Sequence, residues 1–197
     1  GNIPDPGGEV EAINLAIGQG DTLVTPLQVA QFMTALGNGG TIYQPQIIEK
    51  IAPPDGEPVF EFEPIIKGEL PISSETYDAI LRGMVNVVEN IRGTAAWVLA
   101  SYSKNSYSMA GKTGTAESGL ADSHAWFAGF TRENRESKPD IAIVVIGEQA
   151  GEGSEVGAPI FRGIVQQYFE GRRTYVMPWE DAVGVISRPE EPEETEE

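Results

Sequence analysis

The stretch Ser108-Met109-Ala110-Gly111-Lys112-Thr113-Gly114-Thr115-Ala116-Glu117 marks where the hydrophobic period changes from helical to extended. Two further runs of the same kind follow at 124–131 and 140–147, these two joined by the polar stretch 132–139. Short polar links between consecutive strands predict antiparallel neighbours. Upstream of the strands, Ser73-Ser74 begins the clearest helix. Tyr77, Ile80, Leu81, Met84, Val87, Val88 and Ile91 follow one stripe, and Gly93 closes it. A shorter helix is expected over 95–100. A terminal helix is expected from Ala158 or Pro159 to Phe169, with Ile160, Ile164, Gln167 and Tyr168 on one face. Helices, a three-strand meander and a closing helix make an α+β fold, an antiparallel sheet flanked by helices.

The first part of the chain is less regular. Residues 13–17 read as a short strand that ends in a tight turn at Gly18-Gln19-Gly20. Thr25-Pro26 is a strong helix start, since Thr caps and Pro fits the first helical position. Leu27, Ala30 and Met33 then share a stripe, and Asn38-Gly39-Gly40 stops the helix. Extended pieces at 46–51 and 59–62, separated by Pro53-Pro54-Asp55-Gly56, predict a small β excursion.

Composition bounds the function. With 197 residues, 40% of them hydrophobic, the chain is long enough for one domain with its own core. The net charge of −17 excludes nucleic acid as a partner, because phosphate binding needs clustered Lys and Arg. From Glu180 to Glu197 there are eight acidic residues and one basic residue. We therefore divide the chain into a folded part, 1–175, and an acidic, disordered tail, 176–197. There is no Cys, so disulfides, thiol catalysis and Cys-ligated metal are excluded. His124 is the only His, so no metal site and no cofactor are expected. No apolar run reaches the roughly 18 residues of a membrane span. The chain opens on Gly1-Asn2-Ile3-Pro4-Asp5-Pro6, loop chemistry that reads as part of something longer.

Gly111-Lys112-Thr113-Gly114-Thr115 carries the chemistry. A phosphate-binding loop would need a Gly where Ser106 stands and a long helix afterwards, and the chain has neither. The other reading is the Lys-Thr-Gly element of serine acyl-transferases that act on penicillin-like substrates. On an exposed strand, Lys112 supplies positive charge, and Thr113 and Thr115 donate hydrogen bonds to a carboxylate. Gly114 lets another backbone approach. An exposed edge also accepts a peptide by strand addition. Three residues alone would equally suit an ordinary polar strand.

The residues around them narrow the choice. Ile17-Gly18-Gln19-Gly20, Thr25-Pro26-Leu27-Gln28, Gly37-Asn38-Gly39-Gly40 and Gly93-Thr94-Ala95 occur in that order. So do Ala110 to Glu117, Ala125-Trp126-Phe127-Ala128-Gly129-Phe130 and Gly157-Ala158-Pro159-Ile160. Together they resemble the penicillin-binding-protein transpeptidases over roughly residues 10–170, with Glu117 and the Gly157-Ala158-Pro159 helix start closer to the monofunctional, class B members. The resemblance implies the penicillin-binding-protein/serine β-lactamase-like fold. It also implies a serine acyl transfer that crosslinks peptidoglycan stem peptides and is trapped by β-lactams. Lys112, Thr113, Gly114 and Thr115 would bind the substrate. Lys112 and the backbone N–H of Thr115 would serve catalysis, the latter in the oxyanion hole. The parent protein would be extracytoplasmic and anchored to the bacterial cell membrane.

That family's Ser-x-x-Lys and Ser-x-Asn elements lie well upstream of the Gly-Gln-Gly segment. Ser101-Tyr102-Ser103-Lys104 and Ser103-Lys104-Asn105 match them by letter. They overlap, and one Ser cannot serve both, so they read as a polar loop leading into the strand. The nucleophile is then outside this chain, and the isolated chain is expected to be inactive. It would expose apolar surface that the missing N-terminal part of the domain covers. Trp126, Phe127 and Phe130 are expected in the sheet's core, Trp97 and Trp179 as packing residues, His124 in a structural role, and Glu117 and Asp122 in solvent. A β-lactam hydrolase or sensor of the same fold, and a non-catalytic peptide-binding module, are the alternatives.

Overall fold

A computed structural model describes residues 1–180 apart from 3, 4, 6, 118, 120, 121, 135 and 137. The changed period at residue 108 produces β5 (Met109–Ala116), which pairs antiparallel with β6 (His124–Thr131), itself paired with β7 (Ala142–Gly147). The sheet order is β5-β6-β7, so β5 is an edge strand among the described residues. Before it come α1 (Glu9–Ala16), α2 (Pro26–Gly37), α3 (Ser74–Glu89) and α4 (Ala96–Asn105), and after it α5 (Gly157–Glu170). Four short strands lie between α2 and α3. They are β1 (Thr41–Tyr43) paired with β4 (Ile66–Glu69), and β2 (Lys50–Ile51) paired with β3 (Phe60–Glu61). The architecture is α+β, and the small β excursion is present.

The pleat of β6 sorts the core into two layers. Phe127 faces α4 and α5, where it joins Leu99, Met109, Phe161 and Val165. Its ring centroid is 4.7 Å from that of Phe161. Ala128 and Phe130 face the other way, toward Met33 and Leu36 of α2. Helix α3 serves both layers, Met84 in one and Val88 in the other. Its start is capped by Ser73, whose side chain accepts from the Thr76 N–H. Thr25 and Gln28 form a reciprocal capping box at the start of α2.

Several expectations change. Residues 13–17 are not a strand, because most of them fall in helix α1. Glu9 and Glu11 favour its first turn, and Gly18 ends it at φ +79°, a conformation only Gly adopts without strain. An apolar stretch of five residues is too short to separate strand from helix. Helix α3 ends at Glu89, so Ile91 drops out of the stripe and is 94% exposed. On α5 the buried face is Ala158, Phe161 and Val165, while Ile164 and Gln167 are exposed. Trp97 on α4 is exposed rather than packed, and Trp179 is half-buried. The stretch 101–105 is the second half of α4, not a loop. Residues 181–197, most of the acidic tail, lie outside the described residues. Residues 173–180 lie against α5, tied by Gln166, whose Oε1 accepts from the N–H groups of Thr174 and Tyr175 at 2.9 Å each.

The β6–β7 connection is organised by one carboxylate. Asp140 Oδ1 accepts from the Thr131 hydroxyl at 2.7 Å and the Glu133 N–H at 2.8 Å, and Oδ2 accepts from the Asn134 N–H at 2.9 Å. Burial opposes its ionisation. The Glu133, Thr131 and Asn134 hydrogen bonds and the charge of Arg132 outweigh that and hold the carboxyl below its ordinary range. Asp140→Asn puts an NH₂ where an oxygen now meets donors. It should cost about 1–2 kcal/mol near neutral pH, read by urea unfolding. Because the folded-state value is depressed, the wild-type advantage is complete above about pH 4. It fades as pH falls through the folded value, so the two curves should converge in acid.

Candidate active site

The site begins with what β5 leaves unpaired. Gly114 stands opposite Trp126 and Thr115 opposite Ala125. A Cβ on Gly153 would lie 2.0 Å from the Trp126 carbonyl oxygen and 2.4 Å from that of Gly114, so the 147–157 loop closes directly over this pair. Backbone groups alternate along a strand, so Thr113 and Thr115 point their N–H and C=O groups to the free edge. Both outward carbonyls meet side-chain donors. Lys112 Nζ donates to Thr113 O at 2.5 Å, and Gln19 Nε2 donates to Thr115 O at 3.1 Å.

This half-strand borders a cleft of about 560 Å³. One wall is β5 from Lys112 to Ala116, continued by Glu117, with His124 and Trp126 from β6. The other is the turn 17–20 with Leu23 and Val24. Lys112 and Thr115 are exposed, and Thr113 and Gly114 are partly buried. Thr113 is steadied from the side, its Oγ1 lying 2.7 Å from Thr94 Oγ1. Thr94 sits in the corner between α3 and α4. Gly93 makes that corner possible, since a Cβ there would lie 2.2 Å from the Asn86 carbonyl oxygen.

The structure thus brings Lys112, Thr113, Gly114 and Thr115 together on one open edge. It adds residues to which sequence reasoning gave no role there. Gln19 and Thr94 were noticed only as parts of Gly-Gln-Gly and Gly-Thr-Ala. Trp126 is a correction. It shares the side of Ala128 and Phe130, yet stands outside their cluster and lines the cleft. Phe127 and Phe130 are buried in the sheet's core as expected. His124 has a structural bond, its Nδ1 accepting from the Gln149 N–H at 3.0 Å, and its ring also borders the cleft. Glu117 is exposed at the cleft's rim.

The two letter matches have other work. Ser103 is 4% exposed, and its hydroxyl donates to Glu89 Oε1 at 2.8 Å and accepts from the Met109 N–H at 3.2 Å. It ties α4 to α3 and to the start of β5, away from the cleft. Ser101 accepts from Asn105 Nδ2 within the same helix at 3.4 Å.

The family model described as the penicillin binding protein transpeptidase domain matches residues 1–166. The chain belongs to that family. Among curated relatives it is 32% identical to the peptidoglycan D,D-transpeptidase MrdA of Haemophilus influenzae, over 82% of this chain and 26% of that protein. It is 29% identical to the peptidoglycan D,D-transpeptidase PbpA of Mycolicibacterium smegmatis, over 76% of this chain and 30% of that protein. The chain therefore spans between a quarter and a third of the length of these penicillin-binding-protein relatives. Penicillin-binding protein A of M. tuberculosis, solved as an imipenem acyl-enzyme, superposes with a TM-score of 0.65 at 25% identity, over 84% of this chain and 35% of that one. A peptidoglycan synthase complex chain gives a TM-score of 0.66 at 29% identity, covering 84% and 27%.

Gly153→Ala tests the closure over the strand pair. The added methyl has only backbone oxygens to displace, so stability should fall by about 1–3 kcal/mol, read as a lowered thermal midpoint. Gly119→Ala, where a Cβ meets nothing within 4 Å but φ is +71°, should cost less, about 1 kcal/mol.

Proposed function

We propose that this chain is the carboxylate-binding and oxyanion half of a peptidoglycan D,D-transpeptidase site, completed by a Ser-x-x-Lys and a Ser-x-Asn segment elsewhere in the parent protein. The observation that carries this reading is the open half of β5, where Lys112, Thr113 and Thr115 line one cleft and the N–H groups of Thr113 and Thr115 point outward. A D-Ala-D-Ala stem end is an extended peptide with a terminal carboxylate. Lys112 and the hydroxyls of Thr113 and Thr115 supply a cation and donors for that carboxylate. The scissile carbonyl then lies near the Thr115 N–H. The serine oxygen attacks this carbonyl carbon, the C–N bond breaks, and D-Ala leaves as the protonated amine. An amine of a neighbouring stem attacks the resulting ester, an amide crosslink forms, and the serine recovers its proton. Negative charge on the tetrahedral oxygen is met by the Thr115 N–H, which is already oriented and so needs no reorganisation. A β-lactam would enter the same way and remain as the acyl-enzyme.

The apolar surface supports completion by further chain. Helix α1 buries no residue, and Val10, Ile13 and Ile17 are each at least 64% exposed. Leu23 and Leu27 extend that surface at 66% and 59%. A patch of this kind calls for a covering partner, and the remainder of the transpeptidase domain is the partner we propose. Among the described residues no helix is long and apolar enough to cross a membrane. Anchoring of an extracytoplasmic parent to the cell membrane is proposed for segments outside this chain.

Fluorescent penicillin tests the reading. The parent protein should be labelled covalently on a serine outside these 197 residues, and the isolated chain should stay unlabelled. In the parent, Lys112→Ala should slow labelling by about 100-fold, the scale of losing one oriented electrostatic contact to the reacting group. Labelling of Ser101 or Ser103 would reject the assignment of the nucleophile.

A further inference from the structure

Gln19 is held with unusual care for a residue in a surface turn. It follows α1 in a Schellman closure, in which the Gly18 N–H donates to Leu15 O at 3.0 Å and the Gln19 N–H to Asn14 O at 2.9 Å. Gly18 and Gly20 flank it at φ +79° and +91°. The turn thus sends one carboxamide across 96 positions of sequence to donate from Nε2 to Thr115 O at 3.1 Å. Nothing in the helix requires that bond. Its effect falls on β5, where the C=O and N–H of Thr115 both face the free edge.

We propose that Gln19 is a positioning residue for the Thr115 backbone, fixing the direction in which the Thr115 N–H meets the reacting carbonyl. This rests on the transpeptidase reading above. The physical need is local. Gly114 precedes Thr115, and a glycine lets the intervening peptide plane rotate more freely than any other residue would. The inward side of the Gly114–Trp126 pair is closed by Gly153. Among the described residues the outward side has no neighbouring strand to fix it. Gln19 substitutes for that strand at one carbonyl, and Lys112 does so at the other, two residues back. Both outward carbonyls of the open half of β5 are thereby occupied by side-chain donors, and what that half presents is N–H groups. An edge that offers donors suits a carboxylate and an oxyanion, and it resists indiscriminate pairing with other strands.

The test uses Gln19→Met, which keeps length and cannot donate, and Gln19→Glu, which sets a carboxylate against the carbonyl. In the 197-residue chain, the Thr115 carbonyl ¹³C and Ala116 amide ¹⁵N resonances should shift in both variants while those of β7 stay in place. In the parent protein, acylation by a β-lactam should be resolved into binding and chemistry. A positioning role predicts that the acylation rate constant falls at least tenfold with the dissociation constant changed less than twofold. A merely structural role would lower the thermal midpoint and leave that ratio alone. Unmoved Thr115 and Ala116 resonances, or a reactive wild type whose acylation rate constant is unchanged in both variants, would overturn the role given to Gln19. A wild-type parent that never acylates would overturn the transpeptidase reading itself, and this role with it.

Discussion

The close contact of Phe127 with three glycines governs the geometry of the site. Added Cβ atoms on Gly111 and Gly157 would lie 2.5 Å from Phe127 Cζ and 2.7 Å from Phe127 Cβ, and one on Gly129 would lie 3.1 Å from its Cε1. The ring is fully buried between the sheet and α5. Glycines at those places let β5, β6 and the start of α5 approach a single aromatic side chain more closely than any other residue type would allow. That approach fixes the register Gly111 to Gly129 and Gly114 to Trp126. A slip of one residue would send Phe127 to the α2 side and turn the outward groups of Thr113 and Thr115 inward. Core packing and site geometry are therefore one constraint.

From that constraint the cleft follows. The first three residues of β5 are buried, and from Lys112 onward the strand is at most partly covered. The same strand is anchored at one end by the two core layers and left open at the other. The anchored end is further tied by Ser103, which accepts from the Met109 N–H. A rigid strand with an open end is suited to hold hydrogen-bonding groups at fixed positions, as preorganised electrostatic stabilisation demands. The neighbours of the open end, Gln19 and Thr94, come from two distant corners of the chain, and each corner depends on glycine.

The legible parts of the fold were those with long periodic signals. Helix α3, the three strands and helix α5 were each read in nearly their observed places, because burial repeats along them over several turns or pleats. Helix α1 was missed for the opposite reason. Its apolar residues Val10, Ile13 and Ile17 keep helical spacing over only eight positions, and the run 13–17 taken alone fits a strand equally well. Trp126 was misread because parity along β6 tells which face a side chain takes and not where the covering helix stops. The exposed face of α5 was misassigned for a related reason, since apolar residues at 160 and 164 looked like core while Phe161 and Val165 were the buried pair.

The candidate site was legible in type and not in arrangement. Lys112, Thr113, Gly114 and Thr115 could be picked out because their chemistry is concentrated in consecutive residues. Gln19 and Thr94 could not, because their hydrogen bonds span 96 and 19 positions and carry no local pattern. The signal was nevertheless present in the glycines. Gly18 and Gly20 flank Gln19, and Gly93 precedes Thr94. A polar residue beside glycines at a helix end is a polar residue whose direction the backbone controls. In this chain Gln19 meets Thr115 and Thr94 meets Thr113. The glycines mark where the fold spends conformational freedom, and the residues beside them are where that freedom is converted into aim.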